Sequence, residues 1–224
     1  MLSLVLRLRD SMYMVKTAAD VNILSDSVPN TGGVYFVTAF GGLFAPYWDP
    51  SATGLIIGMS SYTTPAHVAR ATLEANAFMT RAVVESMKTD TGVELKELKV
   101  DGGMTNGNTV MEILADLTGI DVVRPEMREY VPADLLYTPA LAQLTDTHVF
   151  CPVRSTALGS AILAGSAIRL FGWDIENPET LHEVNTAGSF TFSPKVSQAD
   201  RDKKWRDWQR AVERSRGWAT NSGA

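Results

Sequence analysis

The spacing of apolar residues changes period several times along the chain, and each change marks a predicted element. The clearest helical stretch opens with Thr64 as N-cap and Pro65 at the first helical position. Val68, Ala71, Ala75, Phe78 and Ala82 then recur at alternating spacings of three and four, which draws one apolar stripe to about Lys88. Asp90-Thr-Gly92 ends it. Upstream, a looser helical alternation predicts a helix over 3–19. The turn cluster Ser27-Val-Pro-Asn-Thr-Gly-Gly33 follows.

Short β-branched and aromatic runs predict strands over 33–37, 55–57, 95–100 and 120–123. Between the first two lie a glycine- and aromatic-rich loop over 39–48 and a turn over 49–54. A helix over 106–118 follows Asp101-Gly-Gly103, and a small-residue helix over 155–171 is closed by Gly172. The last helix, over 198–216, carries Ser197 and Asp200 as a capping box and Trp205, Trp208 and Val212 on one face. Strands alternating with helices of this length predict an α/β fold. The small polar tail after Trp218 predicts fraying.

Composition narrows the function classes. The 224 residues carry a net charge of -5, with 45% hydrophobic and 20% charged residues. A balance on the acidic side argues against a nucleic-acid surface. No run approaches the ~20 apolar residues of a membrane-spanning helix. Cys151 is the one cysteine, so an intrachain disulfide is ruled out and a reducing, cytoplasmic setting is expected. His67, His148 and His182 are scattered, and no metal-ligand spacing emerges. His67 near a helix start reads as a surface or capping residue. Trp205 and Trp208 read as packing residues.

The strand–Asp101-Gly-Gly103–helix unit is the most chemical feature of the chain. Paired glycines let backbone approach a ligand, and the N–H groups of a following helix favour anions or polar ring edges. Gly102, Gly103, Met104, Thr105 and Asn106 would form that rim. The bland alternative is a tight strand-to-helix turn with Asp101 or Thr105 as cap.

Together the motifs resemble the C-terminal domain of the FGGY carbohydrate kinase family. Gly54-Leu-Ile-Ile-Gly-Met59 followed by His67-Val-Ala-Arg-Ala-Thr-Leu-Glu74 is similar to the family's second signature. Lys99-Val-Asp-Gly-Gly-Met-Thr105, Arg124-Pro-Glu-Met-Arg-Glu129 and Thr156-Ala-Leu-Gly159 extend the likeness. The segments 33–37 and 39–48 look like those of the family's glycerol-phosphorylating members. The resemblance implies an actin-like, ribonuclease H-like ATPase fold with a mixed sheet and flanking helices. It also implies an ATP-dependent transfer to glycerol, with ATP/ADP and a polyol as partners; members acting on xylulose or gluconate are the alternative. A homo-oligomer is compatible with it.

By the same resemblance, Gly103 would contact nucleotide; together with Gly102, Met104 and Asn106 of the rim and the family position at Gly107 it makes the expected nucleotide site. The family's nucleotide-contacting asparagine falls on Gly107, flanked by Asn106 and Asn108. The catalytic base, the polyol pocket and the Mg2+ ligands would lie in an N-terminal domain, so no catalytic or metal residue is expected within these 224 positions, and the chain is expected to be inactive or weak alone. The family's Gly and Gln before Trp-Leu-Arg-Asp have no counterpart ahead of Leu8-Arg-Asp10. The expected organisation is an N-terminal helix over 1–19, the family domain over 20–218 and a tail over 219–224. Residues 130–154 stand as a non-family insertion, either a retained intron or a surface loop.

Overall fold

The computed structural model describes residues 7–17, 20–125, 163–169, 172, 174–181 and 189–219. The chain divides into two compact units. The first comprises residues 1–98, 107–122 and 192–224; the second comprises 99–106 and 123–191.

The first unit is built around one long helix. In chain order it contains α1 (Asp20–Asp26), the strands β1 (Tyr35–Val37) and β2 (Leu55–Ile57), α2 (Pro65–Thr91), α3 (Asn108–Thr118) and α4 (Gln198–Ser215). β1 and β2 are antiparallel, with Tyr35 opposite Ile57, Phe36 opposite Ile56 and Val37 opposite Leu55. Gly33 and Gly58, both at positive φ, sit just outside this pair. A Cβ on Gly58 would lie 2.0 Å from the Gly33 carbonyl oxygen, so the two backbones touch there. The expected strand over 33–37 therefore starts two residues later, because Gly32 and Gly33 both hold left-handed conformations.

α2 starts where the sequence predicts. Thr64 is extended and Pro65 opens the helix. The Thr64 N–H donates to His67 Nδ1 at 3.1 Å, so His67 plays the part that Glu or Gln plays in a capping box. The helix runs three residues beyond Lys88 and stops at Gly92, whose φ of 68° turns the chain and whose N–H donates to the Lys88 carbonyl at 2.9 Å. Its buried face is wider than the predicted stripe and also takes in Ala69, Leu73, Glu74, Ala77 and Arg81. The reason is that α2 packs against α1 and α3 as well as β1.

The core is aromatic. Phe78 of α2 and Trp208 of α4 are both fully buried and stack at 5.3 Å, and Trp205 stacks on Trp208 at 5.2 Å. Tyr35 of β1 and Tyr47 of the aromatic loop close on this cluster at 6.1 and 6.2 Å. The two tryptophans are thus packing residues, as their helical spacing suggests. α4 begins as expected, with the Ser197 hydroxyl accepting from the Asp200 N–H. The Asp200 carboxylate accepts from that hydroxyl at 2.7 Å rather than from backbone.

Near the N-terminus the structure corrects the sequence reading. The helix expected over 3–19 is absent from its described part. Residues Arg7–Ser11 form a single π-helical turn. Tyr13 at φ 53° then reverses the chain, and the Met14 N–H closes onto the Leu8 carbonyl at 2.9 Å. The true helix is α1, anchored reciprocally: the Thr17 N–H donates to Asp20 at 2.8 Å and the Asp20 N–H to the Thr17 hydroxyl at 3.3 Å. Thr17-x-x-Asp20 is the capping signature that the alternation of apolar residues overshadows.

β3 (Glu97–Lys99), β4 (Asp121–Arg124) and β5 (Phe190–Phe192) form a second sheet in the order β3-β4-β5. The division between the units falls inside each of these strands. The helix expected over 106–118 starts at Asn108, because Gly103–Asn106 coil more tightly as a 3-10 turn. In the second unit, residues 163–167 are helical and Pro178–Leu181 form another 3-10 turn. Residues 168 and 169 form a turn, so the helix expected over 155–171 ends early; its positions 155–162, 170 and 171, the insertion over 130–154, His148, Cys151, His182 and the end of the tail lie outside the described residues.

Candidate functional site

In the second unit, the chain leaves β3 through Val100, whose N–H donates to the Val123 carbonyl at 3.0 Å. Asp101 then turns its carboxylate onto the Gly102 N–H at 2.7 Å. Gly102 holds φ 108°, yet nothing lies within 4 Å of where its Cβ would stand. Glycine is required at 102 by backbone conformation and not by crowding. The Gly102 carbonyl accepts twice from Thr105, at 2.9 Å from the N–H and 2.7 Å from the hydroxyl. Thr105 is buried, and its own carbonyl accepts from Arg124 Nη1 at 2.7 Å.

Gly102, Gly103, Met104 and Asn106 thus belong to one pinned turn. Asn106 is exposed on it and Met104 is half-buried. Arg124 is buried and its guanidinium lies 6.0 Å from the Phe190 ring. Sequence reasoning gave Arg124 no role. Its contact with Thr105 spans 19 residues, and no local pattern announces it.

Gly107 belongs to the first unit, where it caps the N-terminus of α3 with an extended backbone and no side-chain cap. A Cβ at 107 would meet the Asn22 carboxamide of α1 at 2.8 to 3.0 Å. The Asn22 Oδ1 is buried without a hydrogen-bond partner. Glycine at 107 therefore leaves room for a neighbour's amide. Beside it, the Thr109 hydroxyl donates to Asp26 at 2.7 Å, tying α3 to α1.

Among the described residues no group of three or more His, Cys, Asp or Glu side chains is arranged to hold a metal, and no helix is long and apolar enough to cross a membrane.

Known proteins give this geometry a setting. A family model described as the FGGY family of carbohydrate kinases, C-terminal domain, matches residues 7–132. Glycerol kinase 1 of Streptomyces avermitilis is 40% identical over 216 residues, which cover 96% of this chain and 36% of that protein. The glycerol kinase of Chloroflexus aggregans is 38% identical, over 96% of this chain and 37% of its own length. Among solved structures, Plasmodium falciparum glycerol kinase with ADP matches at a TM-score of 0.73 and 28% identity, covering 92% of this chain and 35% of that one. The ligand-bound xylulose kinase of Lactobacillus acidophilus, at 17% identity and a TM-score of 0.63, shares the fold. The chain spans little more than a third of the length of the relatives it matches. The α/β architecture is accordingly the actin-like, ribonuclease H-like fold of these sugar kinases, and the chain belongs to the FGGY family of carbohydrate kinases, matching its C-terminal domain.

Proposed function

We propose that this chain supplies a nucleotide-binding part of an ATP-dependent kinase that phosphorylates glycerol to glycerol 3-phosphate. The observation that carries the reading is the 40% identity to a glycerol kinase along 96% of this chain. The Plasmodium falciparum glycerol kinase was solved with ADP, which supports nucleotide use by this fold. Gly102, Gly103, Met104, Asn106 and Gly107 are the proposed contacts. A backbone turn pinned from behind by Thr105 and Arg124 suits a ring or ribose edge that must approach main chain closely.

Mg2+ is the expected companion of the nucleotide. The described residues provide no ligand cluster for it, so no step is assigned to the ion through them. Phosphoryl transfer rests on positioning from every side of the reacting group. We therefore expect little turnover from this chain alone, and we assign the protein to the cytoplasm.

Calorimetry with ADP tests the binding role. Saturable binding that weakens severalfold in Asn106→Ala is expected; the absence of any binding heat sinks the reading. A coupled assay of ADP release with glycerol, xylulose and gluconate, run on the chain joined to an N-terminal domain of the family, tests the substrate. Faster release with xylulose or gluconate than with glycerol would transfer the assignment to another branch of the family.

A further inference from the structure

Three charged side chains are buried among the described residues: Glu74, Arg81 and Arg124. Two of them brace helices. Glu74 of α2 meets Lys204 of α4 at 3.1 Å, and Arg81 of α2 meets Asp202 of α4 at 2.8 Å. The third, Arg124, is 3% exposed and ends β4, in the second unit. Burial alternates along that strand, so position 124 falls where packing alone calls for an aliphatic side chain such as that of Val122. A cation there carries a desolvation cost that packing does not offset.

What the guanidinium does is local and directed. Nη1 donates to the Thr105 carbonyl at 2.7 Å, a short charge-assisted hydrogen bond. Thr105 donates twice to the Gly102 carbonyl, from its N–H at 2.9 Å and from its hydroxyl at 2.7 Å. A chain of bonds therefore runs from β4 through Thr105 to Gly102, whose φ of 108° sets the course of the turn. All three residues lie in the second unit. Arg124 itself presents almost no surface to a ligand, whereas Asn106 on the same turn is exposed.

We propose that Arg124 is a positioning residue for nucleotide: acting through Thr105, it holds the 102–106 turn in its binding conformation and so sets the affinity for a nucleoside diphosphate. This rests on the nucleotide reading of that turn. A stretch with two adjacent glycines has much conformational freedom to lose. If the ligand had to order it, that cost would be subtracted from affinity; a turn already ordered by its own bonds avoids the cost.

The test is calorimetry of the full chain with ADP, on the parent and on Arg124→Lys, Arg124→Gln and Arg124→Met, three replacements of comparable length. Lys keeps both charge and donor, Gln keeps a donor without charge, and Met keeps neither. Affinity should fall in that order, to about tenfold below the parent in Arg124→Met, the lower end of what a hydrogen bond to a charged group is worth. The order separates positioning from two other roles. Packing alone would leave Met nearest the parent. Attraction of the ADP phosphates by a distant charge would make Gln and Met equal. Either of those orders overturns the proposal, as does unchanged affinity in all three variants. Amide NMR without ligand supplies a second readout. Gly102 and Thr105 should shift in Arg124→Met while Phe78 and Trp208 stay in place; collapse of the Phe78 and Trp208 signals would make Arg124 a general folding element and overturn its specific role. No binding heat from the parent chain removes the nucleotide reading and this proposal with it. Binding by the parent that Arg124→Met retains in full removes the role of Arg124 alone.

Discussion

Two glycines of this chain look alike in sequence and differ in what they do. Gly58 holds φ 88° and its missing Cβ leaves room for the Gly33 carbonyl at 2.0 Å. Gly102 holds φ 108° in open space. Gly102→Ala should cost about 1–3 kcal/mol, the strain of an unusual backbone conformation alone. Gly58→Ala should cost more than this, since backbone must move to admit the methyl group. Urea unfolding of both variants checks the order, and a smaller loss at Gly58 refutes it. Gly107 offers a third case, because its crowding partner is a side chain. Gly107→Ala should destabilise by about 1 kcal/mol, and Asn22→Gly should relieve most of it in the double mutant. Additive losses would show that the Asn22 amide simply swings away. The glycine-rich turn was legible in sequence, because strand, paired glycine and helix are local signals. Asn22 against Gly107 and Arg124 on Thr105 were not, because only the folded chain brings those residues together.

At the scale of elements, Arg81 joins three helices. Its Nε donates to Glu85 at 2.7 Å and its Nη2 to Asp202 of α4 at 2.8 Å. Nη1 reaches the carbonyls of Leu117 on α3 and Arg201 on α4 at 3.3 and 3.4 Å, and the guanidinium lies 4.9 Å from the Trp205 ring centre. Removing it leaves a buried carbonyl unsatisfied and uncovers the aromatic core. Arg81→Ala should therefore cost about 3 kcal/mol, well above an exposed ion pair. Loss of under about 1 kcal/mol in thermal or urea unfolding would reduce the contact to surface decoration.

The same contact carries a pH signature. The hydrogen bond from Arg81 holds the Asp202 carboxyl below its ordinary 3.8, against an opposing push from desolvation. A carboxyl depressed in the folded state stabilises fully above its unfolded value and loses that contribution as the pH falls through the folded one. Asp202→Asn should thus be less stable than the parent at neutral pH, with the gap closing below about pH 4. A gap that persists at about pH 2 would assign the loss to packing. The helices themselves were readable from caps and periodicity at α2 and α4. The arginine was not, since a charged residue on a predicted apolar helix reads as a solvated flank until carbonyl- and carboxylate-bearing neighbours surround it.

Across the whole molecule, buried apolar side chains are concentrated in the first unit. Val34, Val37, Phe78, Leu117, Trp208 and Val212 are at most 2% exposed and all belong to it. Among the described residues of the second unit, Leu181 is the one buried apolar side chain. The turn at 102–106 is held instead by hydrogen bonds to Thr105, Asp101 and Arg124. Hydrogen bonds contribute less net stability than buried area and open locally when they border water. Amides of Phe78, Trp208 and Val212 should therefore exchange only with global unfolding, while those of Gly102 and Thr105 exchange through smaller openings that depend weakly on urea. Hydrogen exchange across a urea series measures both. If ADP binds where the glycine turn is proposed to receive it, saturating nucleotide should slow exchange at Gly102 and Thr105 while leaving the Phe78–Trp208 core at its global limit. Equal protection of both regions before any ligand is added would mean that the turn is as firmly built as the aromatic core, and that backbone hydrogen bonding there is reinforced by contacts beyond those of Thr105, Asp101 and Arg124.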